Sequence, residues 1–431
     1  MKVKVEDSGP CRKTLSIEAP AAETAEDYKQ ALQAVARVAE IDGFRKGKAP
    51  VPMVERRFRK AVEDETRDNL VPRLYRDAIA KEDIKAVAIV QVRDVAYAPE
   101  KGVSFKVIVD VPPEFKLPKY GKIEIKRNAV AVTDEQVNGA IDRLLDSQSR
   151  FEDVEGRETK SGDLVLADYV GKCDGKPVTT MAADCAGLGE GKDAWILLEE
   201  REFIPGFTRG LTGAKAGSVV EIDVEFPPDY GTKAVAGKKA SYSVTVKRIR
   251  QRVRPTMDEA FFKQFQASDL EGLKSRARTE LQSEGDRRED ERVKELLARE
   301  LLGKTPFDLP QSVVEEEVRL TVKELVRRNM MRGLTEQQLE EQKNDILQTA
   351  TRTSEERVRL SYILARIADE EKIAVSEEEL KSRMDEMAGR YRMEPAAFRD
   401  EIEKRNGVES IRSDLRAEKT LDFLAKKVSK N

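Results

Sequence analysis

Residues 43–50 read GFRKGKAP, an aromatic and three cations punctuated by two glycines and closed by a proline. Gly43 and Gly47 admit backbone angles closed to other residues, and Pro50 fixes the exit, so Phe44, Arg45 and Lys46 are predicted to stand out on a loop. Upstream, Tyr28, Leu32, Val35 and Ala39 fall on one face of a helix opening near Thr24. Downstream, Leu70, Leu74 and Ala78 continue a helical stripe that Pro72 is expected to kink or break. Outside the helices, Val3 and Val5, then Leu15 and Ile17, alternate as short strands, and Val103, Phe105, Val107, Val109 and Val111 form a closing strand. Residues 1–112 therefore read as a small α+β domain with the loop between its helices. From Gly43 to Lys60 there are seven bases (Arg45, Lys46, Lys48, Arg56, Arg57, Arg59, Lys60) against one acid, Glu55. That local charge suits phosphate and implies an RNA-rich partner.

The 431-residue chain is long enough for two to four domains, and 39% hydrophobic, 37% charged and 6% aromatic residues describe a chain with a large charged surface. Lys plus Arg number 78 and Asp plus Glu 81, so any nucleic-acid contact must be local. The sequence has no histidine, which removes Ser-His-Asp and Cys-His catalysis and the usual zinc sites, and no metal is expected. Cys11, Cys173 and Cys185 have no ligand spacing and read as incidental thiols. The opening MKVKVEDSGP carries no apolar run, which predicts neither a signal peptide nor a membrane span and a cytoplasmic location.

Composition shifts divide the rest. Pro112, Pro113, Pro118 and Gly121 mark a linker over 113–150, in which a Thr133–Gln136 capping box opens a helix carrying Val137, Ile141, Leu144 and Leu145 on one face. That face needs a partner from elsewhere in the chain. Residues 151–250 are rich in glycine and β-branched residues, with strands predicted at Leu164–Val170, Ser218–Phe226 and Ala240–Ile249. Residues 251–431 are helical, divided by capping boxes at Thr335–Gln338 and Ser376–Glu379, with no fixed repeat.

Within the β domain, FIPGF (Phe203–Phe207), LTGAKAGS (Leu211–Ser218) and FPPDYG (Phe226–Gly231) follow the order and approximate spacing of FK506-binding-type prolyl isomerases, which the stretch resembles. The resemblance implies an apolar catalytic pocket lined by Tyr169, Trp195, Ile204, Phe207, Tyr230 and Tyr242. Rotation about the peptide bond faces a barrier near ~20 kcal/mol, and a water-poor pocket favours the less dipolar twisted amide without a nucleophile or cofactor. Such domains usually place an aromatic and an acid where DGKPVTT has Val178 and Thr179, which implies modest activity.

The octapeptide GFRKGKAP closely resembles the signature of the bacterial trigger factor family, and the order of segments extends the resemblance over essentially the whole chain, to the closing EKTLDFLAKKV. It implies a multidomain α+β fold: a small ribosome-binding N-terminal domain, an inserted FK506-binding-like β domain, and an all-α C-terminal body with arm-like helical hairpins against which the linker helix packs. It implies docking through Gly43, Phe44, Arg45, Lys46, Gly47, Lys48 and Pro50 on the large ribosomal subunit, protein and ribosomal RNA, beside the nascent-chain exit. Unfolded nascent polypeptides are the implied clients, with a homodimer as a further expected state of the free protein. No G-x-x-x-x-G-K-[ST] segment is present, so binding and release are expected without ATP. Met330, Met331, Met384 and Met387 are candidates for a promiscuous surface, although methionine at helical spacing is more often core. Two rival classes stay open: a prolyl isomerase with helical interaction segments, and a basic RNA-binding protein on a helical scaffold.

Overall fold

Alternation of apolar and polar residues builds the first sheet of the computed structural model, which describes residues 1–181, 186–199, 204–405 and 407–428 of the chain. Strands β1 (Lys2–Gly9), β2 (Arg12–Ala19), β3 (Ala88–Ala98) and β4 (Gly102–Asp110) pair antiparallel in the order β1-β2-β4-β3. Helices α1 (Ala21–Val38), α2 (Val51–Arg57) and α3 (Arg59–Lys81) complete this part. Leu15, Ile17, Val103, Phe105, Val107 and Val109 share a cluster with Leu70, Leu74 and Ala78 of α3, each large side chain contributing roughly 1.5–3 kcal/mol of burial. A second cluster of Ala31, Leu32, Ile41, Val54 and Val62 ties α1 to α2 and α3.

The structure departs from the sequence reading at two points. Helix α3 passes through Pro72 without a break. Pro72 and Asp68, whose carbonyl loses its usual partner, both lie on the exposed side, where water satisfies the freed oxygen while the buried stripe holds the opposite face. Strand β3 was not foreseen, because eight of its eleven residues are exposed and two register shifts, at Ile89/Gln91 and Arg93/Ala96, interrupt its alternation.

The chain falls into two compact units, Met1–Asn128 with Glu289–Asn431, and Ala129–Arg288. In the second unit, α4 (Asp134–Ser147) opens on the expected capping box at Thr133 and Gln136. Its Ile141, Leu144 and Leu145 find their partners in Phe261 and Phe262 of α7 (Glu259–Gln264) and Leu273, more than a hundred residues on. Between them lie β5 (Arg150–Val154), β6 (Leu164–Cys173), β7 (Lys176–Pro177), α5 (Ala186–Gly189), β8 (Glu190–Leu197), α6 (Phe207–Leu211), β9 (Val219–Glu225) and β10 (Lys239–Val253). The sheet is antiparallel, with β10 pairing β5, β6 and β9, and β6 pairing β7 and β8.

The remainder is helical: α8 (Leu270–Lys304), α9 (Gln311–Met331), α10 (Glu336–Glu341), α11 (Lys343–Glu370), α12 (Glu377–Tyr391), α13 (Pro395–Lys404) and α14 (Val408–Val428). Both further capping boxes form as expected, at Thr335 and Ser376. Leu297, Leu301, Ile363, Leu364, Ile367, Leu424 and Val428 make the core of the first unit's helical part, and Ile123 of the linker enters it. Helices α9 and α11 meet over a buried Ser354–Thr321 hydroxyl pair at 3.0 Å.

Two charged joints hold the first unit. Asp110, only 1% exposed, accepts from Arg12 Nε at 2.7 Å and from the Ser312 amide in the first turn of α9 at 3.0 Å. Burial opposes its ionised form, but the Arg12 guanidinium and the Ser312 amide hold its carboxyl below the usual range. Glu289 accepts from Arg292 Nη2 and from the Asn128 amide, both at 2.6 Å, and with Arg292 as the leading cause its carboxyl is lowered to about 2.

Candidate functional site

The basic loop is built by its glycines. Gly43 and Gly47 take φ of +88° and +74°. A Cβ on Gly47 would also sit 2.6 Å from the Arg37 carbonyl oxygen, so this turn closes against the end of α1 only with glycine. The Gly47 amide donates to the Ala39 carbonyl, Phe44 to Ile41 and Lys48 to Arg45, and Pro50 leads into α2. Phe44 is left 43% exposed, and Arg45, Lys46 and Lys48 are exposed beside it.

Electrostatics sharpen the loop. Lys46 pairs with Glu40 at 3.1 Å, Arg57 with Asp42 at 3.7 Å, and Arg59 with Glu63 and Glu100. Arg45, Lys48, Arg56 and Lys60 have no carboxylate within ion-pair distance among the described residues. Four cations thus remain for an external anion. Sequence reasoning missed the exposed apolar residues that flank them, Val38, Val51 and Met53. They lie outside the octapeptide, and only their placement at the facing ends of α1 and α2 connects them to it.

In the β domain, Tyr169, Phe207 and Tyr242 come together. Phe207 stands edge-on to Tyr242 at 5.4 Å between centroids and to Tyr169 at 5.6 Å, and the two tyrosine rings are 6.3 Å apart. A Cβ on Gly171 would lie 2.3 Å from the Tyr242 ring, and one on Gly191 2.4 Å from the Tyr169 ring, so two glycines make room for the aromatics. The Tyr169 hydroxyl donates to the Gly187 carbonyl at 2.7 Å, and burial pushes its phenol up. Ile204 is buried in the same cluster, and Tyr230 packs against it on Phe226 at 4.8 Å. Val178, the departure from the usual aromatic, fills part of this core.

Trp195 does not join them. It sits on β8 between Ala194 and Ile196, which face the cluster, so its ring points to the other face. There it is 43% exposed with the Arg250 guanidinium 4.6 Å above it. Phe203 and Cys185 lie outside the described residues. Among the described residues the cluster is built of aliphatic and aromatic side chains with the buried thiol of Cys173 and no carboxylate, which suits rotation about a bond rather than its cleavage.

The methionines divide. Met330 and Met331 are exposed at the end of α9, whereas Met384 is buried and Met387 packs with it against Leu380, Phe398 and Ile411. No helix among the described residues is long and apolar enough to cross a membrane.

Comparison with known proteins gives three family matches. Residues 1–144 match the model of the bacterial trigger factor protein, 155–247 that of the FKBP-type peptidyl-prolyl cis-trans isomerase, and 269–426 that of the trigger factor C-terminus. The chain is 30% identical to the trigger factor of Opitutus terrae, covering 100% of this chain and 98% of that one. It is 29% identical to the trigger factor of Desulforudis audaxviator, covering 98% and 96%. A solved structure reported for promiscuous substrate recognition by the trigger factor chaperone shares the fold with a TM-score of 0.51 at 24% identity, over 99% of this chain and 100% of that one.

Proposed function

This chain belongs to the trigger factor family, and we propose from that premise how its residues divide the work. It is a ribosome-associated chaperone that carries an FK506-binding-type prolyl isomerase domain. In our reading, the loop Gly43–Pro50 docks on the large subunit near the nascent-chain exit, with Arg45, Lys48, Arg56 and Lys60 meeting ribosomal RNA phosphates. Phe44, with Val38, Val51 and Met53, meets an apolar protein surface there. The observation that carries this is an exposed phenylalanine on a glycine-framed turn, in a run whose Arg45, Lys48, Arg56 and Lys60 have no ion-pair partner among the described residues.

The isomerase work falls to Tyr169, Ile204, Phe207, Tyr230 and Tyr242, whose cluster supplies a water-poor wall against which an Xaa-Pro amide twists. Thr179 leaves that wall without the usual acid, so the rate is modest. Trp195 lies apart from the wall and is assigned no part in the step. Clients are unfolded nascent chains held without ATP by many weak apolar contacts, Met330 and Met331 among them. We place the protein in the cytoplasm and keep the functional divisions at 1–112, 113–150, 151–250 and 251–431. A homodimer is a further state of the free protein.

The decisive experiment is co-sedimentation with ribosomes for the wild-type chain and for the Phe44→Ala, Arg45→Ala, Lys46→Ala triple variant. Loss of binding with an unchanged circular dichroism melt is expected. Undiminished binding by the folded triple variant sinks the docking role of the loop.

A further inference from the structure

Strand β3 has the opposite character to the other edge of its sheet. At β1 the exposed charged side chains are Lys2, Lys4, Glu6 and Asp7, the kind that commonly guards a free edge. At β3 the backbone pairs with β4 alone among the described residues, and Val87, Ile89, Val90, Val92 and Val95 are all exposed in and beside it. Its only charges are Arg93 and Asp94, and Asp94 is paired with Lys106 at 3.1 Å. The strand runs for eleven residues, broken by the bulges at Ile89/Gln91 and Arg93/Ala96 and by Asp94, which takes φ of +56° at the second of them.

Both ends of this strand are anchored within the first unit. At its start, Ala88 pairs with Asp110, the residue that also holds the first turn of α9 through Ser312. Just past its end, Glu100 meets Arg59 of the basic run at 3.4 Å. This apolar edge, interrupted by its two bulges, therefore leads from the basic run to the first turn of α9.

We propose that β3 is a strand-addition site, at which an extended, apolar, β-branched segment of an unfolded client pairs with the free backbone edge. The proposal rests on the chaperone reading above and names a mode of binding within it. Main-chain hydrogen bonds would supply affinity indifferent to sequence, and the exposed valines would favour apolar segments. The occupant is a client rather than a second copy because of the two bulges. A rigid β3 from another molecule would bring its own bulges to the same edge and lose register, whereas an unfolded segment conforms to them.

Amide hydrogen exchange on the full chain tests this, with an alternating Val/Thr decapeptide as probe and the same peptide with a central proline as control. Exchange across Ile89–Val95 is expected to slow about tenfold or more with the alternating peptide and not with the proline peptide. A Val90→Lys, Val95→Lys variant is expected to bind the peptide about tenfold more weakly, with ribosome co-sedimentation unchanged. A peptide that fails to bind the wild type, or binds without slowing exchange in β3, overturns the proposal. So does slowing that appears without peptide and rises with protein concentration, which assigns the edge to a second copy. Aggregation suppression of a denatured client, measured in parallel, separates the two levels. Suppression with a silent β3 ends strand addition alone, and no suppression by the wild type ends both.

Discussion

The Tyr28 hydroxyl donates to Glu55 Oε1 at 2.9 Å, so the one acid in the basic run is engaged by α1 instead of neutralising the cations beside it. Burial first, and then the Glu55 carboxylate, push the Tyr28 phenol up to about 12. A pair inside the domain thereby sets the charge that the loop presents outside.

A phenol raised on folding contributes stability that is complete below its ordinary value near 10 and is lost as pH rises through about 12. Tyr28→Phe should lower stability by about 1 kcal/mol at pH 8. Ultraviolet titration of the variant should lack one phenol ionising near 12, and an unchanged titration rules the assignment out.

Gly47→Ala tests geometry without touching charge. The added methyl meets the Arg37 carbonyl at 2.6 Å in a left-handed conformation, which costs roughly 1–2 kcal/mol locally. Ribosome co-sedimentation should weaken while the rest of the chain melts normally. Full binding by this variant means that cations alone, on a loop of any shape, are enough.

For the isomerase, Phe207→Ala should destabilise the β domain by roughly 3–5 kcal/mol, because a fully buried ring is removed. Tyr230→Ala is the better functional probe: Tyr230 is only partly buried, and the domain should stay folded with slower catalysis of proline-limited refolding. Trp195→Ala should leave that catalysis intact. A large loss there places the reacting amide on the other face of the sheet.

Met330→Ser with Met331→Ser should reduce aggregation suppression while changing stability by less than about 0.5 kcal/mol, since Met331 is 78% exposed. Met384→Ser, at 7% exposure, should instead cost roughly 2–4 kcal/mol and loosen α12. Thermal melts beside light scattering distinguish the two effects.

Glu289 predicts an acid-resistant joint. A carboxyl lowered to about 2 contributes stability present above the ordinary value of 4.5 and lost only as pH falls toward 2. Residues 123–128 should therefore resist pepsin at pH 3.5 in the wild type and become susceptible in Glu289→Gln. Equal cleavage of both chains removes the joint from the account.

What the sequence made legible follows from local rules. The three capping boxes were readable because both partners lie within four residues, and all three form. The aromatic cluster was readable through motif order, but Trp195 was not, because a one-residue step along a strand reverses its face. Strand β3 escaped because valines with no buried side leave no alternation to read. The continuity of α3 through Pro72 was likewise set by which side of the helix meets water, a tertiary matter.

The clasp at Glu289 also bears on mechanical load. Asn128 and Glu289 are 161 residues apart in sequence yet joined by a 2.6 Å hydrogen bond, so residues 129–288 leave and return at one point. A pull that separates Asn128 from Glu289 would load this hydrogen bond and its Arg292 buttress, whereas a pull along α8 passes straight to Leu297 and Leu301 in the core they share with α11.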